Sequence, residues 1–176
     1  MSALLEVRGL KKHFPITKGI FRTTVGHVKA VDDVSFTIMA GETVGLVGES
    51  GSGESTIGRG IARLLEPTAG QVLYRRGDQV LDLPTLSHAR LKSLKREIQV
   101  LFQAPNSALN PRMRVREIVA EPLEAHGFTG AERDRRVREY VQLVGLRPEH
   151  LEGYPHQFSG GQKQRIGIAR ALVLHP

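Results

Sequence analysis

The sequence predicts an α/β fold, and three observations carry that prediction. Short β-rich runs dominate roughly the first hundred residues, and helix-period runs dominate the rest. Between them in character is a compact apolar run, residues 43–47, that passes through a Gly/Ser-rich loop straight into a helical pattern. The chain has 176 residues, enough for one medium domain or a domain with a small insertion. Hydrophobic residues make up 40% and charged residues 24%, which fits a packed globular chain and sets aside disordered, collagen-like and coiled-coil classes.

Taken in order, Leu4–Phe14 opens with a strand-like stretch, and residues 16–26 read as a polar, Gly-containing loop. Residues 28–39 alternate and end at Ala40-Gly41-Glu42, a hairpin-turn pattern. Thr43–Val47 reads as a buried strand, and a helix over about Ser55–Leu65 stops before Pro67. Gln71–Tyr74 and Gln79–Leu81 form a short strand pair around Gly77-Asp78. Residues 86–96 read as a helix with Leu91 and Leu94 on its apolar side, and Ile98–Gln103 as a second compact strand. From Arg114 the pattern is helical. One helix carries Ile118, Val119 and Leu123, and a second carries Val137, Tyr140, Val141 and Val144 on one face. A third begins near Ser159 with Ile166, Ile168, Ala169 and Leu172.

Composition narrows the function. Cysteine is absent, which excludes a disulfide framework, a thiolate metal site and a cysteine nucleophile. No apolar run approaches the ~18 residues of a membrane span, and Glu6 and Arg8 interrupt what a signal peptide would keep apolar, so the chain reads as cytoplasmic. Twenty-five Lys and Arg against 18 Asp and Glu leave +7. That surplus suits phosphate ligands, an anionic surface or nucleic acid, and equally a solvated basic face. The charges lack interleaved aromatics, which argues against nucleic acid, and the motifs decide.

Gly48-Glu49-Ser50-Gly51-Ser52-Gly53-Glu54-Ser55-Thr56 matches the phosphate-binding pattern G-x-x-x-x-G-K-[ST] at every position except the lysine, which is Glu54. In such a loop the glycines let backbone N–H groups converge on phosphate oxygens, and the helix N-terminus adds its dipole. Ser55 is the position that ligates Mg²⁺ through its hydroxyl. Glu54 both removes the lysine's attraction and adds repulsion. At ~4 Å and an effective dielectric of about 20, each effect is roughly 4 kcal/mol before solvent, Mg²⁺ and side-chain movement reduce it. Tight nucleotide binding is therefore expected to be lost, unless the carboxyl turns outward or takes a proton.

A second motif, Phe158-Ser159-Gly160-Gly161-Gln162 followed by Lys163-Gln164-Arg165 and IGIARAL, puts a hydroxyl and bare glycine N–H groups at a helix start. A plain helix cap would explain Ser-Gly-Gly but not the run that follows. FSGGQKQR resembles the signature motif of ABC-type ATPases and is far more specific than the loop alone. Within Leu101–Pro105, Gln103 resembles the family's Q-loop glutamine, which senses Mg²⁺ and the attacking water; a lone Gln at a strand end ordinarily has no such role. Phe14 in LKKHF resembles the aromatic on which adenine stacks, although an ordinary core or turn Phe would read the same way.

Within that family the chain resembles the second ATP-binding subunit of bacterial dipeptide and oligopeptide importers. The resemblance rests on LKKHFPI, AVDDVSF (residues 30–36), ALNPRM (108–113), EIVAEPL (117–123) and YPHQFSGGQ (154–162). It implies a P-loop NTPase core of the ABC ATPase type, with an N-terminal antiparallel β subdomain and an inserted helical subdomain. Residues 1–105 would form the β subdomain and core, and 106–176 the helical subdomain and signature helix. It further implies ATP with Mg²⁺, held by Gly48–Thr56 and Phe14, with Ser55 and Gln103 at the metal. The implied partners are a second ATP-binding subunit in a head-to-tail dimer, two membrane permease subunits and, indirectly, a solute-binding protein. The implied location is peripheral, on the cytoplasmic face of the inner membrane.

Two departures matter. One is Glu54. The other is that the family's Walker B strand, D-loop and switch histidine have no counterpart before Pro176, so no catalytic base is assigned and the core is expected to be incomplete at its C-terminal side. Unpaired strand edges and an exposed apolar face are expected to follow. Two readings result: a peptide-importer ATPase subunit with impaired activity, or a non-hydrolytic partner that supplies only Ser159–Gln162 to an active subunit. A third, a nucleic-acid-associated relative, has nothing but the basic charge behind it.

Overall fold

The computed structural model describes residues 2–21, 23–102 and 109–176. The chain divides into two compact units, Met1–Leu91 and Lys92–Pro176.

The first unit is built on a four-stranded antiparallel sheet in the order β2-β1-β3-β4, with β1 at Ala3–Lys18, β2 at Thr23–Met39, β3 at Ala69–Arg76 and β4 at Gln79–Asp82. Alternation buries Leu5 and Val7 on one face, and Val72 of β3 pairs with Val7. The phase then slips at Gly9, whose φ of +54° bulges β1 so that the next buried residue is Leu10. The Gly9 N–H donates to the Ser35 hydroxyl at 2.8 Å, which satisfies a donor that the bulge removes from the ladder. Helix α1, Glu54–Ile61, lays Ile57 and Gly60 inward, and the closest side-chain neighbour of Gly60 is Leu10. A short 3-10 turn at Leu83–Thr85 buries Leu83.

Helix α2, His88–Leu94, runs across the division, with Leu91 and Leu94 buried as the periodicity predicts. The second unit is helical: α3 at Val115–Ala125, α4 at Gly130–Leu143 and α5 at Gly160–Leu172. Its core joins Val115, Ile118, Val119 and Leu123 of α3 with Val137, Tyr140 and Val141 of α4 and Ile166 and Ala169 of α5. These residues recur every three or four positions, so each helix presents one apolar stripe to the others. The end of α3 is closed by Gly127 at φ +83°, with the Phe128 N–H donating to the Leu123 carbonyl at 3.0 Å.

Six expectations are corrected. Residues 16–26 are not a loop, because β1 and β2 continue through them as a hairpin as far as Lys18 and Thr23. The turn at Ala40-Gly41 is present, with the Glu42 N–H on the Met39 carbonyl, but no returning strand follows. Thr43–Val47 and residues 98–102 form no strand. Val44, Leu46, Leu101 and Phe102 are all exposed, and Val47 is 94% exposed. An apolar run marks a preference for burial, but a parallel strand exists only where neighbours accept its N–H and C=O groups on both sides. Neither run has such a neighbour among the described residues. Finally, α1 ends at Ile61 rather than near Leu65, and Leu172 is exposed, with Val173 and Leu174 buried in its place.

Candidate functional site

The loop after residue 47 enters α1 through two glycines in the left-handed region, Gly51 at φ +91° and Gly53 at φ +102°. Gly53 is the residue before the helix, and a Cβ there would lie 2.2 Å from the Ala30 carbonyl oxygen of β2, so only glycine fits this approach. The Ser52 N–H donates to the Glu49 carbonyl at 2.9 Å, closing the turn. The first helical bond runs from the Ile57 N–H to the Gly53 carbonyl at 2.9 Å. The N–H groups of Glu54, Ser55 and Thr56 therefore stand at the open end of the helix. Ser50 lies in the turn and Ser55 is exposed at that end.

Glu54 turns back into the loop. The Ser52 hydroxyl donates to Glu54 Oε1 at 2.7 Å, and that oxygen lies against Gly48, where a Cβ would meet it at 2.6 Å. The uncapped helix start thus has a carboxylate bonded within the loop beside it. Open N–H groups at a helix start favour an anion, and a carboxylate beside them opposes one. Among the described residues, no group of three or more His, Asp or Glu side chains is placed to hold a metal on its own.

Phe14 sits on β1 opposite Val28. The residue is 37% exposed, and the Lys12 ammonium lies 5.0 Å from its ring centroid. That exposure removes the core-residue alternative. Lys12 also lines a narrow crevice with Thr56, so the loop helix and this end of β1 are close. Gln103 lies outside the described residues.

In the second unit Ser159 begins α5 as its N-cap, with extended backbone at φ −64° and ψ 163°. Its hydroxyl accepts from the Gln162 N–H at 3.3 Å, and Gln162 Oε1 accepts from the Ser159 N–H at 2.9 Å. This reciprocal pair holds the first turn. Gly160 and Gly161 are exposed, and a Cβ on either would meet nothing within 4 Å. Their small size is therefore not needed for internal packing. The segment before the cap is fixed from three sides. The Phe158 ring covers Gly153, where a Cβ would come within 2.8 Å, and it meets the His150 ring edge-on at 5.4 Å. The Tyr154 N–H donates to Gln157 Oε1 at 2.8 Å. Arg114 reaches Tyr154 at 3.4 Å and Glu152 at 2.7 Å, and the bond to Tyr154 first, then that to Glu152, raises its pKa above its ordinary value. Arg116 pairs with the same Glu152.

A groove of about 710 Å³ in the same unit escapes the motif reading. Met113, Ala120 and Val137 floor it, and Arg112, Arg116, Glu121 and Arg138 stand at its rim. The only sequence signal for it is the run of charges on the faces of α3 and α4 opposite their buried stripes.

An α/β chain with a phosphate-loop backbone and a serine-capped signature helix is the architecture of a nucleotide-binding cassette. The ABC transporter family matches residues 31–176, and the chain belongs to that family. It is 51% identical over 175 residues to the oligopeptide transport ATP-binding protein AppF of Bacillus subtilis (strain 168), covering 98% of this chain and 52% of that protein. It is 48% identical over 174 residues to the glutathione import ATP-binding protein GsiA of Salmonella typhimurium, covering 98% of this chain and 27% of that one. The chain thus spans about half the length of AppF and about a quarter of GsiA. Among solved structures, the ATP-binding cassette MJ0796 in a dimeric post-hydrolysis state bound to ADP and Pi matches with a TM-score of 0.79 and 30% identity. That match covers 98% of this chain and 70% of that one.

Proposed function

We propose that this chain is the cassette portion of an ATP-binding subunit of a peptide-type ABC importer, with nucleotide binding at its own loop impaired by Glu54. In this reading Gly48–Thr56 surrounds the phosphates, Phe14 faces the adenine, and Ser55 with Gln103 serves Mg²⁺. The subunit works on the cytoplasmic face of the inner membrane. It pairs head-to-tail with a second ATP-binding subunit and couples to two permease subunits fed by a solute-binding protein. The division into a β subdomain with core at 1–105 and a helical part at 106–176 belongs to the same proposal. The transport activities for which AppF and GsiA are named support peptide-like cargo.

The observation that carries the proposal is the Glu54 carboxylate bonded to Ser52 inside an otherwise well-formed loop. A phosphate entering there meets a negative charge where the motif expects a positive one. The test is a calorimetric titration of Mg-ATP into this chain and into Glu54→Lys. The chain as it stands is expected to give no measurable heat. The lysine variant is expected to bind at least a hundredfold more tightly, since about 2.7 kcal/mol suffices for that factor. Micromolar binding by the unaltered chain would overturn the electrostatic argument.

The capped, open helix start at Ser159–Gln162 favours one second reading. A chain with a disabled loop still carries a signature able to complete an active partner's site. ATPase activity that appears only when the chain is mixed with a competent cassette supports it, and no rescue at any ratio removes it.

A further inference from the structure

The hairpin of β1 and β2 extends well past the sheet. Pairing with β3 ends at Lys11↔Ala69, whereas β1 and β2 stay paired from His13↔Lys29 out to Lys18↔Thr23. Beyond His13, whose N–H still donates to the Thr68 hydroxyl, five residues at about 3.3 Å each make a two-stranded arm about 17 Å long. An isolated two-stranded ribbon is marginal in water, so an arm of this length is best accounted for by something it meets.

The tip identifies the chemistry of what it meets. Ile20 is 98% exposed and Phe21 94% exposed, and Ile16, Val25 and Val28 behind them are exposed as well. Single exposed apolar residues are ordinary, but two large ones fully presented at the end of an arm are not. In sequence they lie between Lys18 and Arg22, and no Asp or Glu occurs from Val7 to Val31. Lys18 has no carboxylate partner among the described residues. At the base of the arm the acid Asp32 is engaged by Lys29 at 3.1 Å and by His13 at 2.9 Å, so its charge does not offset the tip.

We propose that this arm is a lipid-contact device, in which Ile20 and Phe21 enter the headgroup region of an anionic membrane while Lys18 and its basic neighbours hold the lipid phosphates. Charge complementarity selects this occupant. An acid-free apolar tip bracketed by cations matches the negative, amphipathic surface of a phosphatidylglycerol-rich leaflet. The contact is direct and independent of nucleotide and of any permease, so it stands or falls separately from the function proposed above.

The test is flotation of the full chain with phosphatidylcholine vesicles prepared with and without phosphatidylglycerol, in the absence of ATP. The chain is expected to float with the anionic vesicles and not with the neutral ones, and salt is expected to reverse it. Ile20→Ser with Phe21→Ser lowers partitioning by about tenfold or more, and Lys18→Glu lowers it by about fivefold or more. All three positions are exposed, so unchanged circular dichroism is expected. The chain contains no tryptophan, which makes Phe21→Trp a clean reporter whose emission shifts to the blue on anionic vesicles. No flotation, flotation unaffected by the tip substitutions, or an unshifted indole emission from the Phe21→Trp variant overturns the proposal. Concentration-dependent self-association abolished by the same substitutions would assign the tip to a second copy of the chain instead.

Discussion

The loop at 48–56 and the signature turn at 159–162 solve the same problem in opposite ways. Both bring a glycine-rich segment to the start of a helix and leave N–H groups at its open end. At α5 the serine hydroxyl and the glutamine amide satisfy one donor each, and the glycines beyond stay clear. At α1 no side chain caps the helix, and the turn is made by left-handed backbone at Gly51 and Gly53, which glycine adopts without steric penalty. The carboxylate next to it engages Ser52 instead. A capped turn is locally self-sufficient. An uncapped glycine turn depends on its surroundings, here the close approach of Gly53 to the Ala30 carbonyl, and Glu54 holds its carboxylate on Ser52 beside the helix start.

The sharpest way to break this contrast is Gly53→Ala. The left-handed φ costs about 1–3 kcal/mol for a residue with a Cβ, and the 2.2 Å approach to the Ala30 oxygen adds a clash that only a shift of β2 or α1 relieves. Urea denaturation is expected to show the largest loss of any single loop substitution. Gly160→Ala, with open space around it, is expected to stay within about 0.5 kcal/mol of the parent. Equal effects at the two sites would show that position 53 tolerates a Cβ and the comparison is wrong.

Much of this arrangement is legible in the residues themselves. The helical stripes of α3, α4 and α5 follow from spacing alone, because each apolar position there is satisfied by neighbours of the same kind within the unit. The β3–β4 hairpin is legible because Gly77-Asp78 makes its turn locally. Thr43–Val47 and residues 98–102 are misread for the converse reason. Their pattern states a demand for partners, and a sequence pattern does not say whether the partners are there. The extended arm is misread because Gly19, Gly26 and the polar residues between them outweigh Thr, Ile and Val at 16–25, although β-propensity of this kind suits a solvated ribbon. Of the site, the loop and the cap are legible as motifs. The direction taken by Glu54 is not, since outward rotation and the Ser52 bond are both open to an isolated sequence.

A smaller effect sharpens the other side of the contrast. Ser159→Ala removes the hydroxyl that accepts from Gln162 and is expected to cost about 1 kcal/mol, read by denaturation, while Ser159→Asp recovers most of it. The 3.3 Å bond is long, and Gln162 still accepts from the residue 159 N–H, so the loss sits at the lower end of the range for N-caps. A loss well above about 2 kcal/mol would mean that the cap supports more than its own turn.

The smallest effect concerns acid, and it separates the two units by the order in which they weaken. His126, at the end of α3, is partly buried beside Arg96 and Lys92, and burial first, then those two cations, lower its pKa from the usual 6.5. The unfolded chain therefore takes up this proton before the folded one does. The stability tied to neutral His126 is complete above about pH 6.5 and is lost as the pH falls from there through the lower folded value. Asp32, in the first unit, is shifted below its usual 3.8 by Lys29 first and then by His13. Its contribution persists down to that value and fades only below it. Hydrogen exchange followed from about pH 7 to about pH 4 is expected to show α3 and α4 losing protection first, with the β1–β2 ladder near Asp32 unchanged. His126→Gln, which keeps a polar group of similar size without the titration, is expected to flatten the first change. If the ladder loosens first, or the Gln variant leaves the pH profile as it was, then His126 is not the group that makes the signature-bearing unit the more acid-sensitive of the two.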